Sequence, residues 1–189
     1  MVRLGVRAFI VVVFLSVSAP AAAAECSDLW DWLNRGCRRL VDTYEKGGNV
    51  LLVSGYAWHT PWTWTAEKRA EENENAWGGG LGRMVEHPDG DTETVFFLVF
   101  SDSHRKPQYN AGYGWSTYWG ERDSLQAGLG YTAMLVARND IFNGWPFPAV
   151  LPLVSLRYQK VTVYGTYIPT VGGVNNGSVV YVFGKIALD

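Results

Sequence analysis

The sequence predicts an all-β protein: an eight-stranded antiparallel transmembrane β-barrel with an N-terminal amphipathic helix. Three observations carry that prediction. From Asn49 to the end, eight segments of strand character follow one another, most of them separated by turn-forming residues. After the N-terminus there is no apolar run of the roughly 18 to 20 residues that a membrane helix needs. Within the strands, large apolar residues alternate with small or weakly polar ones, whereas a soluble barrel turns its large apolar residues inward and its polar ones outward.

The chain begins with an address. Arg3 and Arg7 precede the apolar run Ala8 to Val17, then Pro20 and the small-residue stretch Ala21 to Ala24, which reads as a secretory signal peptide over 1–24. The mature chain from Glu25 carries 14 basic against 18 acidic residues, a net charge of −4. That leaves no basic field to hold nucleic acid, so a nucleic-acid partner is not expected.

Residues 25–48 form the predicted periplasmic helix. Trp30, Leu33, Cys37, Leu40, Val41 and Tyr44 fall at helical spacing, with Asp31, Arg35, Arg38, Arg39 and Asp42 largely opposite, Ser27 and Asp28 available as N-caps, and Gly47-Gly48 as the stop. The apolar stripe suits either a protein core or a membrane interface. Cys26 and Cys37 are the only cysteines, and an oxidising compartment favours a disulfide between them. Eleven residues of continuous helix would hold them about 16 Å apart, against the roughly 4.4–6.8 Å of bridged Cα atoms. Cys26 must therefore fold back ahead of the helix; the alternative is two small apolar side chains in reduced form.

The barrel is placed at 49–189, with strands at 50–59, 76–86, 92–101, 108–119, 123–138, 148–158, 160–168 and 178–188. His87-Pro88-Asp89-Gly90, Gly120-Glu121-Arg122, Asn143-Gly144 and Gly172 to Gly177 supply turns. In the fourth strand Ala111, Tyr113, Trp115, Thr117 and Trp119 share the outer face, and in the fifth Leu125, Ala127, Leu129, Tyr131, Ala133 and Leu135 do. Gly78, Gly80, Gly82, Gly112, Gly114, Gly128 and Gly130 then point inward. Such a cluster marks close approach, either of backbone in a sharply bent barrel or of a slender ligand such as an acyl chain.

Chemistry has few sources here. His59, His87 and His104 match no zinc spacing, so no metal is expected, and no GxSxG, phosphate loop or dinucleotide fingerprint occurs, so no cofactor is. His59 ends the first strand, and Asp102-Ser103 follow the apolar run Val95 to Phe100. Together they offer a base near neutral pH, a carboxylate and a hydroxyl, the ingredients of acyl transfer. Adjacent residues of a strand point to opposite faces, so Asp102 and Ser103 share a site only where the strand opens into a loop. An Asp-Ser pair in a loop is also an ordinary turn former.

The strings GYAWHT (55–60), AWGGGLG (76–82), FSDSH (100–104), AGYGW (111–115), LQAGLGYTA (125–133), PFPAVLPLVS (146–155), YIP (167–169) and NNG (175–177), in this order behind an amphipathic helix, resemble the outer-membrane lipid A palmitoyltransferases of the PagP family. The resemblance covers essentially the whole mature chain. It implies an enzyme of the Gram-negative outer membrane that moves a palmitoyl chain from a glycerophospholipid donor to a hydroxyacyl chain of lipid A, without cofactor. The implied partners are those lipids, with the barrel a monomer or weak homodimer. The family's catalytic residues fall on His59, Asp102 and Ser103, its lipopolysaccharide-recognition lysine on Lys68 and its acyl-length glycine on Gly114. Phospholipid gating falls on Val174, where the family has tyrosine. One proline flanking the family's lateral openings matches Pro169, while the other position holds Ser54. The rivals are a non-catalytic outer-membrane barrel, with an interior filled by side chains, and a lipid A or phospholipid hydrolase, which would share an apolar tunnel with the transferase.

Overall fold

A computed structural model describes Cys26, residues 30–172 and residues 174–188. The signal segment 1–24 and the Ser27/Asp28 cap lie outside the described residues. Helix α1 spans Asp31–Lys46, and Trp30 at its N-cap contributes no side-chain bond. Asp31 in the first turn and Lys46 in the last complement the helix dipole, and Lys46 pairs with Asp42 at 2.6 Å. Cys26 is bonded to Cys37 with 5.8 Å between Cα atoms, so the chain does fold back ahead of the helix.

The apolar stripe of α1 is left uncovered: Trp30 is 74% exposed, Leu40 44% and Tyr44 49%. The opposite side touches the barrel. Thr43 is buried and donates to Glu93 Oε2 at 3.2 Å, and Arg39 lies 3.8 Å from Glu93 Oε1. Glu93 is an outward-facing acid of the barrel wall, hidden by the helix. The helix is thus docked by its polar edge, and its aromatics face outward, uncovered by any of the described residues.

Eight strands close a barrel in simple sequential order, each antiparallel to its neighbours: β1 Gly48–His59, β2 Asn75–Glu86, β3 Thr92–Ser101, β4 Pro107–Trp119, β5 Gln126–Ala137, β6 Phe147–Tyr158, β7 Val161–Ile168 and β8 Val179–Ala187. β1 and β8 complete the ring, from Val50↔Ala187 to His59↔Val179. Closure gives every strand two neighbours to pair with, which is what allows strands to cross lipid. Most strand boundaries match the sequence reading within two residues. Gly48 opens β1 instead of ending the helix, and β5 starts three residues late because Glu121 to Ser124 form a turn. A short helix, α2 (Ala66–Glu71), was not predicted. Thr65 caps it by accepting from the Lys68 N–H at 3.4 Å, in a stretch whose charges read as a solvated loop.

The facing of β4 and β5 is as expected. Trp119, Leu125, Leu129, Tyr131 and Leu135 are exposed to the outside, while Ser116, Tyr118 and Thr132 are buried within. The interior as a whole is less polar than those two strands suggested. β1, β3, β6 and β8 send in Leu52, Phe96, Leu98, Phe100, Leu153 and Phe183.

All seven glycines of the predicted set face inward, but six are there for want of room. A Cβ on Gly80 would collide with the Phe97 carbonyl, one on Gly130 with that of Trp115, and one on Gly82 would sit 2.5 Å from that of Val95. Neighbouring strands of so narrow a barrel leave no space for it. Gly114 differs: its nearest neighbour would be the Tyr131 carbonyl at 3.8 Å, because it borders open space. Gly80→Ala is therefore expected to lower barrel stability by about 1–3 kcal/mol and Gly114→Ala to leave it unchanged, as read by urea unfolding in bilayers. Equal losses would contradict the distinction.

Candidate active site

The two ends of the barrel differ. The turns 87–91, 120–125 and 159–160 share one end with α1, and the short turn 102–106 lies at the other with the longer connections 60–74, 138–146 and 169–178. His59 sits at the long-loop end as the last residue of β1, fully buried. The loop after it folds over the barrel rim. Thr60 Oγ1 lies 2.6 Å from Ser178 Oγ, and Trp64 Nε1 donates to the Ser178 carbonyl at 3.0 Å. Trp64 thereby meets the His59 ring edge-on, with centroids 5.0 Å apart.

β3 ends at Ser101, and the chain turns at once, which frees Ser103 from strand alternation. Asp102 organises that turn. Its Oδ1 accepts from the N–H groups of His104 at 2.9 Å and Lys106 at 2.7 Å, and its carbonyl accepts from the Arg105 N–H at 3.0 Å. Asn73 clamps the turn from the neighbouring loop: its N–H donates to the Ser103 carbonyl at 2.8 Å and its Nδ2 to the Asp102 carbonyl at 3.2 Å. The outcome is Ser103 Oγ at 2.9 Å from His59 Nε2.

The structure thus brings His59 and Ser103 together but turns the Asp102 carboxylate elsewhere. Its Oδ2 is buried 3.8 Å from Arg138, which also pairs with Asp140 at 2.8 Å. Burial pushes the Asp140 carboxyl up, yet the Arg138 guanidinium outweighs it and holds the group below the ordinary aspartate range. Asp102, His104 and Asp140 are close enough to suggest a cation site. Arg138 already supplies the positive charge among them.

The acid nearest the His59 ring is Glu74, from the loop ahead of β2. Its Oε1 accepts from the His59 N–H at 3.0 Å and lies 3.6 Å from Nδ1, and its Oε2 accepts from the Tyr56 hydroxyl. Partial burial pushes this carboxyl up, but the Tyr56 hydroxyl and the His59 N–H hold it below the usual glutamate range, so it stands as an anion. Asn73, Glu74, Tyr56 and Arg138 were not legible as site residues. Asn73, Glu74 and Arg138 fall outside the motifs, the first two in a charge-rich loop, and Tyr56 lies within GYAWHT but carries no role there.

Below this rim the barrel interior holds an apolar cavity. Phe100, Tyr181 and Ile168 line it near the rim, and Leu52, Phe96, Leu98 and Leu153 line its walls. Gly114, Thr94 and Ser116 mark its lower part, where the chemistry turns polar: buried Lys185 donates to Thr94 Oγ1 at 3.1 Å, and the Tyr118 and Tyr164 hydroxyls meet at 3.0 Å. Lys185 lies six positions along β8 from Val179, which pairs with His59, a distance of about 20 Å along the strand.

The wall has interruptions. β6 pairs with β7 only from Val154↔Gly165 to Tyr158↔Val161, although both strands run on toward the rim. Pro148 and Pro152 of β6 have no N–H to give there, and Thr166 Oγ1 donates to the Pro152 carbonyl at 2.7 Å. Between β1 and β2 the register shifts between Ser54 and Tyr56. Ser54 bonds the Ala76 carbonyl and the Tyr181 hydroxyl. Lys68 is exposed on α2 at the same end as His59. Val174 is half-buried in the β7–β8 loop, its N–H donating to the Val171 carbonyl at 2.9 Å, and Asn175 ties that loop together through the Pro169 and Gly177 carbonyls.

Comparison with known proteins gives a consistent result. The family described as "Antimicrobial peptide resistance and lipid A acylation protein PagP" matches residues 39–185. Among curated proteins, the lipid A acyltransferase PagP of Bordetella parapertussis is 40% identical over 172 residues, which cover 91% of this chain and 93% of that one. The protein of the same name from Legionella pneumophila is 37% identical over 92% of this chain and 91% of its own length. That of Methylobacillus flagellatus is 36% identical over 88% and 89%.

Proposed function

The chain belongs to the PagP family of lipid A acylation proteins, and from that premise we propose that it moves a palmitoyl chain from a glycerophospholipid to a hydroxyacyl group of lipid A in the outer membrane of a Gram-negative bacterium. That it is a lipid A acyltransferase agrees with the names of its relatives. The observation that carries the mechanism is the contact of Ser103 Oγ with His59 Nε2 at the rim, beyond the Phe100 and Tyr181 end of an apolar cavity. A barrel with exposed apolar side chains on its outer wall, short turns at one end and longer loops at the other supports outer-membrane placement, with the site on the cell surface.

In this reading the donor's acyl chain lies in the cavity with its ester at the rim. The donor ester C–O bond breaks and an ester to the lipid A hydroxyl forms. The hydroxyl proton passes to His59 Nε2 and from there to the departing glycerol oxygen, so no other reactant is consumed. Ser103 Oγ holds the position from which a hydroxyl loses its proton to Nε2. It is either acylated in passing or yields that position to the acceptor, and intact-mass spectrometry of the quenched protein separates the two. Asp102 serves by holding the turn that carries Ser103. Lys68 is assigned to the anionic phosphates of lipid A, and the gap between β6 and β7, near the loop of Val174, to lateral entry of the phospholipid.

Mass spectrometry of lipid A from cells with and without the protein tests the reading. A gain of one palmitoyl group that disappears with His59→Ala is expected. Loss of an acyl group would point to a hydrolase instead, and unchanged lipids under membrane stress to a non-catalytic barrel.

A further inference from the structure

His59 has two ring nitrogens, and the acyl-transfer reading uses one. Nε2 faces Ser103, while Nδ1 is buried without a hydrogen-bond partner in a residue that has no solvent exposure. A buried ring nitrogen without a partner is costly and leaves the tautomer unspecified. For Nε2 to take a proton from a hydroxyl, the ring's own hydrogen must reside on Nδ1, and something must hold it there. Glu74 is the carboxylate within reach, with Oε1 at 3.6 Å. That is longer than a hydrogen bond, and catalytic bonds of this kind are commonly long in unliganded sites and tighten when substrate binds.

Two contacts aim Glu74 at the ring. The backbone N–H of His59 itself holds Oε1 at 3.0 Å, and the Tyr56 hydroxyl holds Oε2 from the same strand. Of the other acids near the site, Asp102 accepts two backbone N–H groups and faces Arg138, while Glu72 acts on the ring through its charge and lies 4.0 Å from His104, so that Glu74 is the carboxylate in direct reach of Nδ1.

We propose that Glu74 is the positioning residue of this active site: its carboxylate takes the Nδ1–H of His59, fixes the tautomer that leaves Nε2 basic, and stabilises the ring when it carries the second proton. The catalytic unit is then Ser103–His59–Glu74, with Asp102 outside it. This rests on the acyl-transfer reading of His59. Glu74 moves no proton of its own, since the imidazolium forms on taking the hydroxyl proton and is discharged on giving it to the leaving oxygen.

The test is kinetic, on the refolded full-length barrel with defined phospholipid donor and lipid A acceptor. Glu74→Gln, close to isosteric, should lower kcat by about tenfold to a thousandfold with KM for both lipids within about twofold and with unchanged urea unfolding; Glu74→Asp should recover part of the loss. Wild-type kcat in Glu74→Gln would overturn the assignment. So would equal losses in both variants that track a lowered unfolding midpoint, since they would mark a purely structural contact. His59→Ala is the control for the underlying reading: transfer retained there removes that reading, whereas transfer lost in His59→Ala but kept in Glu74→Gln removes the role of Glu74 alone.

Discussion

His59→Ala is expected to slow transfer to lipid A by roughly 100- to 10,000-fold, the range of a lost general base, while the barrel stays folded. His59 contributes little to closure beyond its place at the end of β1, and alanine keeps the backbone bonds to β8. Ser103→Ala should lose a comparable amount. Because hydroxyl and ring act as one unit, the double variant should be hardly slower than either single one. Asp102→Ala should also lose transfer, by another route. Two backbone N–H groups lose their acceptor, the turn carrying Ser103 loosens, and amide exchange over 103–106 should speed up. Rates with purified lipids, beside the heat-dependent gel mobility of a folded barrel, check the set. A His59→Ala protein within about threefold of the wild-type rate would remove His59 from the chemistry.

The second large effect concerns acyl length. Gly114 borders the lower part of the cavity, and a Cβ added there would meet no atom nearer than 3.8 Å, so a methionine side chain would project into the space that the proposed function gives to the end of the acyl chain. It would exclude about three methylenes. At about 0.8 kcal/mol per buried methylene this disfavours the longest chain by about 2–3 kcal/mol, or roughly 30- to 160-fold in relative rate. Gly114→Met should therefore favour donors shorter than palmitoyl with little loss of total activity. Competition among donors of graded length measures this directly. Unchanged preference for palmitate would mean that the chain ends elsewhere in the barrel.

Between Gly114 and the other inward glycines lies a difference no pattern could reveal. All seven sit at the same parity and looked alike, yet six are glycine because a neighbouring strand leaves no room for a Cβ and one borders open space. The helix poses a related case. Its stripe of Trp30, Leu33, Leu40 and Tyr44 was plain, but such a stripe more often packs on a core, with an interface as the competing reading. Only the docking of Arg39 and Thr43 on Glu93 turned that stripe outward.

Whatever depends on neighbours along the chain was legible in the residues alone: eight strands by their period of two, their turns by glycine, proline and asparagine, the helix by its stripe, and the loop position of Ser103 at the end of an apolar run. The family motifs added His59, Asp102 and Ser103 as a set. Tertiary structure decided which of these meet. Closing β1 against β8 and folding the 60–74 loop over the rim puts His59 beside Ser103, turns Asp102 toward Arg138, and carries Glu74 to the far side of the imidazole. The physical reason is that hydrogen bonding across a closed barrel joins residues far apart in sequence, and a loop's side chains take their directions from those closures rather than from any local period.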